Sequence, residues 1–195
     1  MNIISHRVNT IKMLKKVPTN LGVEIDIRSN ENILYLQHDP FIQGELFEEW
    51  IKHFKHGTII LNVKEEGLEN AVLTLMEKYN IDDYFFLDQS FPFLRKTSKK
   101  GESRCAVRVS EYENIYTALS LKGMVDWVWV DCFTTFPLSL EDFQKLKAAG
   151  YKLCLVSPEL QGYNDFSYVK KFRNKLDLLG IKGDAVCTKY PDLWG

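Results

Sequence analysis

Short apolar runs recur along the chain: NIIS, GVEIDI, TIILNV, YFFLD, RCAVRV, DWVWVD, KLCLV and DAVCT. They are rich in β-branched and aromatic residues and read as eight strands. Between them, LENAVLTLMEKY, NIYTALSLK, LEDFQKLKAAG and DFSYVKKFRNKLDLL space their apolar residues by three and four, as one-sided helices do. Ser139 predicts an N-cap for the third of these and Gly150 its C-cap. Strands alternating with helices predict parallel pairing. Eight such units predict an α/β protein, a compact (β/α)8 TIM barrel, with residues 1–195 forming a single barrel domain. The chain is short against the roughly 250 residues usual for that architecture. A doubly wound open sheet fits the same alternation, but no Gly-rich phosphate loop follows the first strand.

The second strand breaks the apolar pattern. In VEIDIRSNENILYLQHDP, residues 23–40, Glu24, Asp26 and Arg28 alternate with Val23, Ile25 and Ile27, so three charged side chains share one face. That face looks either at water or at chemistry. Barrel enzymes carry their reacting groups at the C-terminal ends of strands and in the loops beyond. The polar residues fall there: His6 and Arg7 after the first strand, His38 and Asp39 after the second, Asn62 and Lys64 at the third. Asp88, Arg108, Asp131, Ser157 and Lys189 follow further on. Any one of them alone reads as a cap or an exposed ion pair. Two histidines, two carboxylates and two cations from three consecutive strands read as a site, because burying such charges unpaired is costly. His53 and His56, in EEWIKHFKHG, are assigned to a solvated helix face.

Composition narrows the partners. A chain of 195 residues with 45% hydrophobic and 26% charged residues is long enough for a substantial core. A formal net charge of -1 gives no footing for a polyanion, so nucleic acid is not an expected partner. The N-terminal MNIISHRVNTIKMLKK lacks the pattern of a secretory leader, and no run reaches the roughly 18 apolar residues of a spanning helix, so a cytoplasmic protein with no transmembrane segment is expected. Nothing in the sequence indicates an oligomeric state. Cys105, Cys132, Cys154 and Cys187 have no metal or redox spacing and lie in or beside apolar runs, so they are read as packing residues.

Taken in order, HR at His6, EID at Glu24, HDP at His38, LNVK at Asn62, SF at Ser90, AAGYKLCLVSP and LGIKGDAVCTKYPDL resemble the glycerophosphodiester phosphodiesterase family, within the phosphatidylinositol-specific phospholipase C-like phosphodiesterases. The resemblance runs the length of the chain, closing on the Thr-x-x-Pro pattern from Thr188 to Pro191. It implies a (β/α)8 barrel and metal-assisted phosphodiester cleavage. Carried over by position, it makes His6 and His38 the acid/base pair, Arg7 and Lys64 the cationic contacts to phosphate, and Glu24, Asp26 and Asn62 the metal ligands. The cofactor implied is a divalent cation, Mg2+ or Ca2+, whose hardness suits oxygen donors. The substrate implied is a small-molecule or lipid-head-group phosphodiester.

The chain departs from the family pattern at defined places. Asn62 stands where a metal-binding Glu is usual, Val8 where Gly follows His-Arg, and Lys189 where Asp is common. Only PFIQGELFEEWIKHFKHG separates HD from the third strand, in place of an insertion of several dozen residues. These changes point to a remodelled site and a different alcohol. Two further functions are compatible with the same residues: a cyclising lyase of the phospholipase C type, and a non-catalytic barrel that binds a phosphorylated ligand.

Overall fold

The computed structural model describes residues 1–163 and 165–195. The chain forms two compact units, Ile4–Lys100 and Gly101–Gly195 together with Met1–Ile3. The eight expected strands all form, four of them parallel to one another in each unit, and two further strands appear that sequence patterning did not separate.

The first unit takes Ile4 and Ser5 of β1 (Asn2–Ser5) and then runs α1 (Ile11–Leu14), β2 (Gly22–Asn30), β3 (Ile33–Leu36), β4 (Glu45–Leu46), α2 (Phe47–Ile51), β5 (Ile59–Val63), α3 (Glu69–Lys78), β6 (Tyr84–Leu87) and α4 (Phe91–Lys99). Strand β2 is its centre. One edge pairs in parallel with β5, register Asp26 to Asn62, and β5 continues to β6. The other edge is divided: β1 pairs in parallel at Gly22 and Val23, then β3 pairs antiparallel from Ile27 to Asn30. Val23, Ile25, Ile27, Ile59 and Leu61 are fully buried, the apolar face that alternation predicts.

The hairpin of β3 and β4 is the departure from the expected loop. Strand β2 turns at Glu31, a non-glycine residue in the left-handed region (φ 55°), and the chain folds straight back along it. The hairpin closes tightly at Gly44, where a Cβ would lie 1.9 Å from the carbonyl oxygen of Leu36. Glu45 then turns its carboxylate onto the backbone N–H of Ile11 at 2.6 Å. The segment between β3 and β4 carries His38 and Asp39.

The second unit runs β7 (Ala106–Val109), α5 (Ile115–Ser120), β8 (Trp127–Val130), α6 (Leu140–Ala148), β9 (Lys152–Val156), α7 (Phe166–Leu179) and β10 (Ala185–Thr188), the strands pairing in that order. Ser139 caps α6 through a capping box with Asp142, and Gly150 takes a left-handed φ of 93° just past the cap residue Ala149. All four cysteines are free and buried, as packing residues should be. Among the described residues no helix is long and apolar enough to cross a membrane.

Candidate functional site

Every residue singled out as catalytic, phosphate-binding or metal-ligating lies in the first unit, and the structure joins them in one network. Alternation along β2 turns Glu24 and Asp26 to the same face, where both are only 1% exposed. Strand β5 sets Asn62 beside Asp26 in register and Lys64 just beyond its end. A buried carboxylate survives only if its lone pairs are met. Those of Glu24 are met by Asn62 Nδ2 at 2.9 Å and by the backbone N–H of Arg7 at 2.7 Å, with His6 Nε2 3.8 Å away. Those of Asp26 are met by Asn9 Nδ2 at 2.7 Å and Lys64 Nζ at 3.1 Å, with Arg7 Nε at 3.9 Å.

Arg7 is strained to serve this arrangement. Its φ of 54° is left-handed, a conformation that costs a side-chain-bearing residue about 1–2 kcal/mol. The turn points its N–H into the Glu24 carboxylate. Its guanidinium reaches His38, with Nη2 2.5 Å from His38 Nε2. Because a guanidinium can only donate, His38 Nε2 must present its lone pair. The proton then sits on His38 Nδ1, which donates to Asp39 Oδ1 at 2.7 Å. That hydrogen bond holds the Asp39 carboxyl below its usual range. The neighbouring groups thus settle the tautomer of His38.

Arg28 behaves otherwise than its place beside Glu24 and Asp26 suggests. It does not pair with them. Its Nε and Nη2 donate to the backbone carbonyl of His38 at 3.2 and 2.9 Å, and its Nη1 lies 3.4 Å from Glu65 Oε1. Glu65 in turn accepts from the N–H and hydroxyl of Ser29. Arg28 therefore holds the segment that carries the histidine. His56 is a second correction: it is half-buried, not solvated, and hydrogen-bonds the carbonyl of Val17 at 2.9 Å through Nε2. Helix α2 stops at Ile51, so the face on which His56 was placed ends before reaching it. His53 is exposed as expected. Lys64 also lies 3.5 Å from Asp88. Asn9 was not singled out by sequence at all.

The electrostatics leave one group poised. Burial first, and the adjacent Asp26 charge second, push the Glu24 carboxyl up to about 7, against the lowering pull of Asn62, the Arg7 N–H and Lys64. A folded-state value above the unfolded one means that the native state holds its proton longer, so this contribution to stability is fully present below about pH 4.5 and is lost as pH rises through about 7. The expected size is on the order of 3 kcal/mol. In chelator, thermal melts of the wild type minus those of Glu24→Gln should fall across that interval and then level off. A difference that is flat from pH 4.5 to 7.5 would show that Glu24 is not displaced.

Among the described residues no group of three His, Cys, Asp or Glu is set to hold a metal. The oxygen set that fits a hard cation is two carboxylates and an amide, Glu24, Asp26 and Asn62. Two observations make it a fit. Asn62 Oδ1 is buried and accepts no hydrogen bond from the described residues, and the charge of Glu24 is opposed by that of Asp26. A cation at these oxygens would relieve both.

The fold class follows from comparison with solved structures: it is the α/β barrel. The chain is similar to a glycerophosphodiester phosphodiesterase from Agrobacterium tumefaciens, with a TM-score of 0.67 and 14% identity over 100% of this chain and 97% of that one. It is similar also to a glycerophosphoryl diester phosphodiesterase from Parabacteroides distasonis, with a TM-score of 0.70 and 14% identity over 98% and 84%. A mutant tryptophan synthase α-subunit from Pyrococcus furiosus shares the architecture less closely, with a TM-score of 0.55 and 10% identity over 98% and 88%. At these identities the likeness is one of fold, and one fold carries many chemistries. No family model matches the sequence, and no curated protein matches it.

Proposed function

We propose that this chain is a phosphodiester hydrolase acting on a small or lipid-derived, glycerophosphodiester-like substrate, with a divalent cation such as Mg2+ or Ca2+ held by Glu24, Asp26 and Asn62. The observation that carries the reading is the single hydrogen-bonded and ion-paired network linking His6, Arg7, Glu24, Asp26, His38, Asn62 and Lys64. When bound, the cation would offset negative charge developing on the phosphate oxygens.

The protein groups supply the rest. Arg7 and Lys64 bind the phosphate, Arg7 by its planar fork and Lys64 as a point charge. As Arg7 turns to the phosphate it uncovers the lone pair on His38 Nε2, which Asp39 keeps available by holding the proton on Nδ1. His38 then takes the proton of the attacking oxygen, and His6 gives one to the leaving oxygen.

A second reading has its own observation in favour: both oxygens of Asp26 already meet nitrogen donors, as they would in a non-catalytic barrel that binds a phosphorylated ligand. One assay decides between them. Bis-p-nitrophenyl phosphate and a panel of glycerophosphodiesters are incubated with Mg2+, Ca2+, Mn2+ or chelator. Cation-dependent release of alcohol supports hydrolysis, and phosphorus NMR of the product separates it from cyclisation. No turnover in any condition, with phosphate binding retained, would leave the binding barrel.

A further inference from the structure

We infer that Asn9 is a positioning residue for Asp26, its carboxamide standing in for a strand residue that the sheet lacks. The inference rests on the function proposed above and adds to it a residue that touches neither phosphate nor cation.

The divided edge of β2 is the origin of the argument. Strand β1 covers that edge as far as Val23, and β3 covers it from Ile27. Between them the backbone bonds are made singly: Val8 N–H to the Glu24 carbonyl at 2.8 Å, and Gln37 N–H to the Asp26 carbonyl at 3.0 Å. The N–H of Asp26 falls in the gap, where a buried donor without a partner is costly. The side chain of Asn9 fills it. Its Oδ1 accepts from Asp26 N–H at 2.8 Å while its Nδ2 donates to Asp26 Oδ2 at 2.7 Å.

This two-point grip requires a carboxamide. Asn presents one acceptor and two donor hydrogens from one planar group, as a peptide unit presents one of each kind. Asp would offer acceptors alone and set a like charge against Asp26. Ala would offer neither. With Oδ2 tied to Asn9, Asp26 Oδ1 is the oxygen turned to Lys64, at 3.1 Å. The same residue thus completes the ladder and selects the face of the carboxylate left for chemistry. Partners of this kind typically set metal affinity or activity by about 10- to 100-fold.

The test uses the full chain stripped with chelator and titrated with Mn2+, followed by electron paramagnetic resonance and by calorimetry. Asn9→Ala should weaken Mn2+ binding about 10- to 100-fold. Ile4→Val, which removes one buried methylene from β1, should lower Tm yet keep wild-type affinity. If Asn9→Ala does not fold, Asn9→Asp carries the test, since it retains the acceptor for the Asp26 N–H. Its kcat at saturating Mn2+ should fall tenfold or more. Wild-type affinity in Asn9→Ala, an equal loss in Ile4→Val, or wild-type kcat in Asn9→Asp would overturn the inference and leave the proposed function standing. No Mn2+ binding by the wild type would overturn the cation site and this inference together.

Discussion

His38→Ala is expected to lose about 10²- to 10⁴-fold in phosphodiester cleavage, and His6→Ala a comparable amount, because in the proposed reaction each would remove one end of a proton transfer. Both residues lie away from the packed face of β2, so Tm should change little. Exposed His53 provides the control, and His53→Ala should be close to neutral. Since the two histidines would serve one displacement, the double variant should lose far less than the product of the single losses. A substrate with a p-nitrophenolate leaving group needs little protonation, so it should rescue the variant of the general acid and not that of the base. The arrangement at His38, with its lone pair on Nε2 and its proton held by Asp39, predicts rescue of His6→Ala. Rescue of His38→Ala instead would reverse the two roles. Full activity in both variants would remove the histidines from the chemistry.

Asn62→Glu is expected to tighten divalent-cation binding by tenfold or more, measured by calorimetry. Asn62 is 6% exposed, and its amide spends its donor on Glu24 while leaving Oδ1 unmet among the described residues. A carboxylate there supplies a charged oxygen at the same place, and a unit charge at about 4 Å is a contribution of several kcal/mol at an effective dielectric near 20. Without cation the same substitution removes the hydrogen bond to Glu24 and adds a third negative charge, so the variant should be less stable than wild type in chelator and should recover on adding Mg2+ or Ca2+. If neither wild type nor variant takes up Mg2+, Ca2+ or Mn2+, the three oxygens do not form a cation site.

Much of the architecture was legible because each strand carries its own apolar run: KLCLV is β9 residue for residue, and Ser139 caps α6 where expected. The hairpin was not legible, because NILYLQ continues the apolar character of β2 and the turn at Glu31 uses no glycine or proline to announce itself. Glu24 and Asp26 stood out because charges on an otherwise apolar strand are expensive. Alternation placed Arg28 on the face of Glu24 and Asp26 but could not say what it bonds. Alternation gives direction, whereas its actual partner, the His38 carbonyl, comes into reach only once the hairpin has folded back. Asn9 had no signal of its own. A lone Asn in a loop matches no period, and the gap it fills exists only after β1 and β3 are both in position.

That hairpin gives the site two parts of unequal permanence. Glu24, Asp26 and Asn62 sit on strands whose amides are shielded within a ladder of fully buried residues, while His38 rides on a two-stranded flap with Ile33 more than half exposed and β4 only two residues long. Native-state hydrogen exchange should therefore divide them. Amides of residues 33–46 should exchange through a local opening, in a foldon of lower free energy, while those of Ile25 and Leu61 wait for global unfolding. Equal protection in both sets would mean that the flap opens only with the whole unit. Where they differ, His38 can move away from the carboxylates without unfolding the strands beneath, and Arg28→Ala, which frees the His38 carbonyl from the guanidinium, should make that local opening more frequent.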